Sequence, residues 1–233
     1  MDVKDEKIVV VYSGGLDSTT LLQKAMYDGF SPHCINFQYG SKHNASEGKA
    51  AKQICKVLMV PLTVVDLDFV ANHFKSDLLK TGGDIPEGHY AADNMKSTVV
   101  PFRNGIMLSI AIGFAESIGA TKVALASHRG DHYVYPDCRP VFTHAMAIAA
   151  ESGTEKGVQL WAPFQNMTKT QIVKLGQRLD DIDQTILSMS WSCYKGGEKH
   201  CGKCGTCVER IEAFKDNGFT DYAEYDEGVV SWE

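Results

Sequence analysis

A short turn near the start of the chain has the residue types of an anion-binding site. Residues 13–18 read S-G-G-L-D-S, follow an apolar run and lead into leucines and an alanine at helical spacing. Glycines let the backbone approach a ligand closely, and free N–H groups at a helix start favour an anion such as phosphate. Ser13 and Ser18 would add hydroxyl donors, whereas Asp17 would repel phosphate unless it orients backbone N–H groups or helps hold Mg²⁺. The turn is therefore either a phosphate-binding loop or a plain glycine turn capped by Asp17 or Ser18.

Two common phosphate-binding loops are excluded by the same residues. The sequence contains neither G-x-x-x-x-G-K-[ST], which places a lysine on the β- and γ-phosphates, nor G-x-G-x-x-G. A phosphate bound at residues 13–18 would have to be held in another way.

Four cysteines near the end of the chain have the spacing of a metal site. Cys193, Cys201, Cys204 and Cys207 form C-x₇-C-x₂-C-x₂-C, with glycines that permit tight turns. Four thiolates match tetrahedral Zn²⁺, and a site closed by protein ligands is typical of structural zinc. An iron–sulfur cluster is the alternative, although the x₃-C-P continuation of ferredoxin runs is absent. We predict structural zinc without a catalytic role, with His200 only a conceivable substitute ligand.

Two middle segments combine charge with turn residues. Residues 100–104 read V-P-F-R-N, and because the helix dipole disfavours a cation at a helix start, Arg103 is either a solvent-facing charge or a group aimed at a phosphate. Residues 131–140 read D-H-Y-V-Y-P-D-C-R-P, whose aromatics and carboxylates suit a flat heterocycle with N–H donors. Arg139 would then pair with a substrate carboxylate, the alternative being an Asp–Arg ion pair that closes a turn.

Other nucleophiles and possible ligands receive no functional role. Cys138 has no evident base beside it and is predicted to be packed in the interior. Five histidines show no metal-ligand spacing, namely His43, His89, His128, His132 and His144.

Alternating apolar strands and helical patterns would position these residues. The β-α-β-α-β order predicts a doubly wound, five-stranded parallel sheet with right-handed crossovers, whose strand ends form the ligand edge. Residues 72–100 show little periodicity and are expected to contain a mobile loop at 82–88. A boundary near residue 165 divides an α/β domain (1–165) from a mostly helical region with the cysteines (166–233). The predicted strands are 7–12, 32–39, 62–69, 122–126 and 158–162, and the helices 17–27, 41–58, 104–118 and 168–179.

The composition of the chain limits the classes of function that it can have. The chain has 233 residues with 44% hydrophobic and 22% charged, as in an ordinary globular protein. A net charge of −6 argues against nucleic-acid binding as the main role. We expect a cytoplasmic protein, because no leader or membrane-spanning run is evident. Seven cysteines, an odd number, argue against a disulfide scaffold.

The S-G-G-L-D-S string after a strand resembles the pyrophosphate-binding loop of the N-type ATP pyrophosphatases, or PP-loop superfamily. That superfamily includes GMP synthetase, asparagine synthetase and tRNA thiolation enzymes, and it splits ATP between the α- and β-phosphates to adenylate a substrate. Together with V-P-F-R-N, D-x₃-Y-P-D-C-R-P and W-S-C-Y-x-G-G-x₃-C-G-x-C-x₂-C, the sequence resembles the 7-cyano-7-deazaguanine synthases over about residues 7–215.

The resemblance implies an adenine nucleotide α-hydrolase-like, Rossmann-like fold and an ATP-dependent C–N ligase that forms a homodimer. Its substrates would be 7-carboxy-7-deazaguanine, ammonia and ATP with Mg²⁺, its product the nitrile precursor of queuosine, and its Zn²⁺ structural. The implied catalytic residues are Ser13, Asp17, Ser18, Arg103 and Lys169. The implied ATP-binding residues are Tyr12, Ser13, Gly14, Gly15, Leu16, Asp17, Ser18, Thr19 and Thr20, and the substrate-binding residues are Asp131, Tyr135, Asp137 and Arg139.

Two positions depart from the pattern, and other functions stay open. The family leads us to expect an acid near Val141 and a small residue near Phe102. A relative that stops at the amide, or that joins the acid to another amine, is therefore an alternative. A tRNA sulfurtransferase would need a basic surface and a reactive cysteine. A non-catalytic nucleotide-binding module is the third possibility.

Overall fold

The computed structural model describes residues 6–90, 92–180 and 185–229, with a five-stranded parallel sheet at its centre. The strands lie in the order β3-β2-β1-β4-β5. Ile8, Val9 and Val10 in the central strand are fully buried, as expected for a strand covered on both faces. The strands are β1 (Lys7–Val11), β2 (Ser31–Gln38), β3 (Leu62–Asp66), β4 (Lys122–Ala124) and β5 (Gln159–Trp161).

Helices cover both faces of the sheet, which confirms the predicted doubly wound fold. Val9 belongs to the core cluster that contains Leu108 and Ala111, whereas Val10 belongs to the cluster that contains Leu21 and Ile172. The helices are α1 (Leu16–Tyr27), α2 (Asn44–Val57), α3 (Asp68–His73), α4 (Arg103–Ser117), α5 (Pro140–Gly153), α6 (Lys169–Leu179), α7 (Thr185–Ser188) and α8 (Gly205–Asp216), with 3₁₀ turns at Asp93–Thr98, Arg129–Tyr133 and Pro136–Cys138.

The strand order places a crevice between β1 and β4. The chain runs outward from β1 through β2 to β3, and then returns to the other side of β1 to form β4. Ligands of open α/β sheets bind where the strand order reverses in this way, outside the carboxyl ends of the strands. The residues after β1 and the residues after β4 therefore face one another across this crevice.

The C-terminal helices pack against the sheet. Ile172 and Val173 of α6 and Phe214 of α8 lie in the same core cluster as β1. Thr168 caps α6: its side chain accepts a hydrogen bond from the N–H of Gln171, whose side chain in turn accepts one from the N–H of Thr168. The division of the chain at residue 165 stays a prediction.

Two regions differ from the expected pattern. Helix α5 was not among the predicted helices; Pro140 at its first position is favourable there, and its exposed face is largely apolar. The irregular stretch 72–100 is anchored by side chains in the interior, since Leu78, Leu79 and Met95 are fully buried. No helix within the described ranges is both long and apolar enough to cross a bilayer.

Candidate active site

The turn between β1 and α1 is held in a shape that only glycine permits at its second residue. Gly14 has φ +91°, and a Cβ there would lie 2.5 Å from the carbonyl oxygen of Glu47 and 2.7 Å from the nitrogen of Ala51. The carbonyl of Gly14 accepts a hydrogen bond of 2.9 Å from the N–H of Trp191. The turn therefore lies directly against α2 and is fixed from the other side by the C-terminal region.

Helix α1 begins without a side-chain cap. Gly15 is its N-cap residue, and the first intrahelical hydrogen bond runs from the N–H of Thr19 to the carbonyl of Gly15. The N–H groups of Leu16, Asp17 and Ser18 precede that bond and remain available to a ligand. Neither Asp17 nor Ser18 caps the helix, so the alternative of a capped glycine turn is not what the structure has.

The two serines of the turn fix its backbone. Ser13 Oγ accepts a hydrogen bond of 2.9 Å from the N–H of Gly15, and Ser18 Oγ donates one of 3.0 Å to the carbonyl of Gly15. The two hydroxyls are 3.2 Å apart. An anion bound at the N-terminus of α1 would thus meet backbone N–H groups and two hydroxyls.

A cavity at the crevice collects most of the residues that the sequence singled out. It is lined from one side by the turn and α1, from another by α4 and the segment after β4, and from a third by the C-terminal region. Gly14, Thr19, Thr20, Asp137 and Arg139 are not among its lining residues. The predicted residues that line it are Tyr12, Ser13, Gly15, Leu16, Asp17, Ser18, Arg103, Asp131, Tyr135 and Lys169.

Thr19 and Thr20 serve the packing of α1. Both are fully buried, and the hydroxyl of Thr19 lies 3.2 Å from that of Tyr12. Thr20 packs against α6, where a Cβ on Gly176 would come within 2.7 Å of its hydroxyl. Any contact of these two residues with ATP would have to use the backbone.

Lys169 joins two carboxylates in the cavity. Its Nζ lies 2.5 Å from Asp17 Oδ2 and 3.3 Å from Glu209 Oε2. Burial disfavours the charge of Asp17, but Lys169 and His128 outweigh this effect and hold the pKa of Asp17 below its ordinary value. Burial raises the pKa of Glu209, which Lys169 opposes. Asp17 Oδ1 and Glu209 Oε2 are buried and make no hydrogen bond within the described residues.

Asp131 is held at the cavity wall by hydrogen bonds. It accepts one of 3.0 Å from the N–H of His128 and one of 2.9 Å from the hydroxyl of Tyr90. His128 Nε2 lies 3.5 Å from Asp131 and 3.9 Å from Asp17. The two carboxylates that the sequence predicted on different segments are therefore bridged by one buried histidine.

Arg103 points into the cavity between two aromatic rings. Its guanidinium carbon lies 5.8 Å from the ring centroid of Tyr39 and 5.7 Å from that of Tyr135. The side chain donates a hydrogen bond of 3.3 Å to the hydroxyl of Tyr39. Among the ion pairs of residues 6–90, 92–180 and 185–229, none involves Arg103. Of the two possibilities for this residue, the structure has the cavity-facing one.

The side chains of Asp137 and Arg139 do not line the cavity. Asp137 Oδ2 accepts a hydrogen bond of 2.7 Å from the N–H of Asn104, so it binds the first turn of α4. Arg139 is exposed and donates from Nε to the carbonyl of His132. None of the ion pairs within the described ranges joins Arg139 to an aspartate, so the alternative of an Asp–Arg pair is also not present. Cys138 is buried as predicted.

Glu47 of α2 and His43, the residue before α2, lie beside the turn at residues 13–18. Glu47 Oε2 lies 3.4 Å from His43 Nε2, and the side chains are 14% and 3% exposed. Burial raises the pKa of Glu47 to about 8, although Arg103 acts to lower it. Burial, helped by the charge of Arg103, lowers the pKa of His43 to about 3. Near neutral pH the contact therefore joins an uncharged imidazole to a carboxyl group that is close to its titration point.

The four cysteines form one cluster, as their spacing predicts. The sulfurs of Cys193, Cys201, Cys204 and Cys207 lie within 4.8 Å of one another. Sulfurs bound at about 2.3 Å to one tetrahedral ion would be roughly 3.8 Å apart, and the Cys201–Cys207 sulfur distance is 3.9 Å. The residues fit Zn²⁺. His200 is not part of the cluster, because its Nε2 accepts a hydrogen bond from the N–H of Ser192.

The cluster fixes three segments of the cavity wall. Cys193 follows Trp191 and precedes Tyr194, both of which line the cavity. Cys204 is the N-cap residue of α8, which carries Glu209, and it forms an isolated β-bridge with residue 87 near Tyr90. A metal here would stabilise the cavity from outside, without contact with the reacting atoms.

The chain matches a known protein family over most of its length. A family model described as "Queuosine biosynthesis protein QueC" matches residues 7–218, which is most of the chain. The chain belongs to this QueC family. The family resemblance predicted from the motifs is confirmed.

Relatives of this QueC-family chain match over nearly their whole length. It is 48% identical to the 7-cyano-7-deazaguanine synthase of Porphyromonas gingivalis, covering 96% of this chain and 99% of the relative. It is 47% identical to the 7-cyano-7-deazaguanine synthase of Desulfotalea psychrophila, covering 93% and 97%. The fold is also similar to NMN synthetase from Francisella tularensis, with a TM-score of 0.50, 13% identity and coverage of 94% and 80%.

The two positions at which the resemblance led us to expect other residue types lie outside the cavity. Phe102 is 59% exposed, has φ 52° and packs edge-on against Phe142 at 5.7 Å. Val141 is 75% exposed at the start of α5. Neither side chain lines the cavity, so neither position alters its shape directly.

Several QueC cavity residues were not found from the sequence. They come from segments that are far apart along the chain and have no common motif, so their proximity is a product of the fold. Two pairs do have a local signal, although neither was assigned to the site. His43 and Glu47 are four positions apart, and Trp191 and Tyr194 lie in the W-S-C-Y motif that begins the cysteine cluster. The residues are Tyr39, His43, Glu47, Tyr90, Trp191, Tyr194 and Glu209.

Proposed function

We propose that the protein converts 7-carboxy-7-deazaguanine, ammonia and ATP into 7-cyano-7-deazaguanine, with release of AMP and pyrophosphate. One observation carries the proposal: a single cavity joins the uncapped N-terminus of α1 and the cations Arg103 and Lys169 to a wall of tyrosines and Asp131. The first part suits the phosphates of a nucleotide, and the second suits a flat heterocycle. The names of the relatives supply the reaction.

The reaction has two adenylation steps, one of the carboxylate and one of the amide, and atoms and charges balance in each. A substrate carboxylate oxygen attacks the α-phosphorus of ATP, pyrophosphate leaves, and ammonia then displaces AMP to give the amide with loss of one proton. The amide oxygen attacks a second ATP, pyrophosphate leaves again, and loss of two protons with AMP gives the nitrile. Each activation develops negative charge on the departing pyrophosphate.

The half of the cavity beside α1 offers groups that can stabilise this negative charge. The N–H groups of Leu16, Asp17 and Ser18 would hold the pyrophosphate, helped by the hydroxyls of Ser13 and Ser18. Arg103 and Lys169 would neutralise the charge that develops as pyrophosphate leaves. Mg²⁺ would accompany ATP and offset phosphate charge, and the buried, unpartnered Asp17 Oδ1 is an oxygen that suits it.

The opposite half matches the heterocycle. Tyr90, Tyr135 and Tyr194 offer ring faces, and the hydroxyls of Tyr135 and Tyr194 lie 3.3 Å apart. Asp131 would accept hydrogen bonds from the N–H groups of the deazaguanine ring. Asp137 and Arg139 would act indirectly, through α4 and the 3₁₀ turn that carries Asp131.

Acid-dependent pyrophosphate release tests the proposal. The protein would be mixed with ATP, Mg²⁺ and ammonium, with and without 7-carboxy-7-deazaguanine, and the products identified by mass spectrometry. We expect release only with the acid, and a nitrile as the final product. An amide or a larger adduct as the end product would favour the related ligases, and nucleotide binding without turnover would favour a binding module.

A tRNA sulfurtransferase activity is less well supported. Cys138, the one cysteine that lines the cavity within the described residues, is buried, and burial raises the pKa of its thiol well above the ordinary value. A thiol of that kind is a poor nucleophile. The homodimer and the cytoplasmic location stay predictions.

A further inference from the structure

The proposed reaction also requires removal of protons from nitrogen, which the groups proposed to bind phosphate do not provide. Between ammonia and the nitrile, one nitrogen atom loses all three of its hydrogens, the first on forming the amide and the other two on dehydration. A positioned general base accelerates such proton removal, and its pKa is best placed near the working pH. This base must lie in the cavity.

Four carboxylates line the described part of the cavity, and three of them are committed elsewhere. Asp17 and Glu209 both contact Lys169, at 2.5 and 3.3 Å. Asp131 accepts hydrogen bonds from the hydroxyl of Tyr90 and from a backbone N–H. Glu47 is the remaining carboxylate; it contacts His43 and the hydroxyl of Ser13 and forms no ion pair with a lysine or arginine among the described residues.

Glu47 lies between the phosphate-binding turn and Arg103. Its Oε1 is 3.5 Å from the point where a Cβ on Gly15 would stand, which places the carboxyl beside the N-cap of α1. Its other oxygen is 3.4 Å from His43 Nε2. The His43 ring is stacked on the ring of Tyr194 with centroids 5.1 Å apart, so the imidazole is fixed in orientation. The carboxyl group is thus positioned at the junction of the two halves of the cavity.

We propose that Glu47 accepts the protons that the nitrogen loses, and that His43 orients its carboxyl group; this rests on the proposed function. In the first step ammonia adds to the adenylated carboxyl carbon, AMP leaves with the bonding electrons of the C–O bond, and the N–H proton passes to Glu47. Glu47, whose side chain is 14% exposed, then releases the proton to water. In the second step the adenylated amide carries two N–H protons: the ionised carboxylate of Glu47 takes the first and passes it to water. It then takes the second as the C–O bond breaks, AMP leaves with the bonding electrons and the nitrile forms.

The surroundings give Glu47 the properties of such a base. The groups that face it are Arg103 from α4, Tyr39 after β2, Ser13 from the turn and His43 beside it. Burial raises the pKa of Glu47 to about 8, so it is partly ionised near physiological pH and a stronger base than an ordinary carboxylate. As an uncharged carboxylic acid it would also not repel a phosphate at the neighbouring turn.

Glu47→Gln separates proton transfer from activation. Formation of the acyl adenylate needs no proton transfer, so exchange of labelled pyrophosphate into ATP, with the acid but without ammonia, should stay within about three-fold of the unmodified protein. Amide formation should fall by about 10²- to 10⁴-fold, the usual contribution of a general base. Glu47→Asp should recover part of this loss, and Glu151→Gln, at an exposed position of α5, should leave both rates unchanged.

A pH profile at constant free ammonia gives a second measurement. Total ammonium would be adjusted at each pH so that the concentration of NH₃ stays fixed. The amide-forming rate of the unmodified protein should rise to a plateau with a midpoint near pH 8, and Glu47→Gln should lose this dependence.

The outcomes distinguish this inference from the proposed function. Absence of acid-dependent exchange in the unmodified protein would overturn the proposed function, and the role of Glu47 with it. Normal exchange in Glu47→Gln together with normal amide formation and an unchanged pH profile would overturn the role of Glu47 alone. Equal loss of exchange and amide formation would assign Glu47 to activation instead.

Discussion

Lys169 Nζ and Asp17 Oδ2 are 2.5 Å apart, although the two residues are separated by 152 positions in the sequence. The contact joins the start of α6 to the first turn of α1, beside the turn at residues 13–18 that we propose to bind phosphate. Burial alone would lower the pKa of Lys169, but its two carboxylate neighbours outweigh burial and raise the pKa above its ordinary value. Lys169 is therefore charged at neutral pH.

We predict that Lys169→Met reduces acid-dependent pyrophosphate release by about 10²-fold or more, because a cation is removed from the site of developing charge. Lys174→Met is the matched control, since Lys174 is exposed on the same helix. Initial rates at saturating substrates measure the effect, with thermal unfolding as a check on folding. A well-folded variant with a normal rate would exclude Lys169 from phosphate binding.

We predict that Gly14→Ala is more destabilising than Gly29→Ala. Both glycines have positive φ, +91° and +85°, so both variants incur the left-handed penalty of about 1–2 kcal/mol. A Cβ on Gly14 would also overlap the backbone of Glu47 and Ala51, whereas a Cβ on Gly29 meets nothing within 4 Å. Urea unfolding should show an additional loss of about 1–3 kcal/mol for Gly14→Ala. Equal losses would mean that α2 does not confine the turn.

We predict that Asp137→Ala lowers the unfolding free energy by about 1–2 kcal/mol, because the first turn of α4 loses an acceptor for the N–H of Asn104. Asp93→Ala, at an exposed carboxylate paired with Lys96, should leave it nearly unchanged, because solvent screens an exposed ion pair. If Asp137 instead bound substrate directly, KM for the deazaguanine acid would rise while the stability remained unchanged.

We predict one zinc ion per chain by elemental analysis, and its loss in Cys193→Ser. Loss of the metal should also change the fluorescence of Trp191, whose indole N–H donates a hydrogen bond of 2.8 Å to the carbonyl of Cys193. Cys138→Ser should retain the metal, because Cys138 lies outside the cluster. Iron with visible absorbance in the purified protein would contradict the prediction.

We predict a pH-dependent stability difference between the unmodified protein and Glu47→Gln. The folded-state pKa of Glu47, about 8, lies above the ordinary value of 4.5. The stabilising effect of burying the neutral acid is therefore complete below about pH 4.5 and is lost as the pH rises to 8. Glu47→Gln should become relatively more stable over that range, by up to about 1.4 kcal/mol per pH unit. A constant difference from pH 5 to 8 would show that the pKa of Glu47 is ordinary.

The sequence predicted those parts of the site that are local in the chain. The turn at 13–18 and the four cysteines each act within a few residues, so their types and spacing were sufficient. Asp137 and Arg139 lie in an equally distinctive motif, but the way the 3₁₀ turn packs on α4 decides which side chains face the cavity. The position of Glu47 beside the turn results from the packing of α2 against Gly14, which the sequence pattern does not predict.

The arrangement of the cysteine cluster has a consequence for how the protein matures. The nucleotide side of the cavity is formed by hydrogen-bonded strands and the start of α1, which require no inorganic component. The opposite wall of the cavity is formed by chain segments that are held together by the four clustered cysteines. We therefore expect a chain without metal at these cysteines to bind nucleotide but to hold the proposed deazaguanine acid weakly.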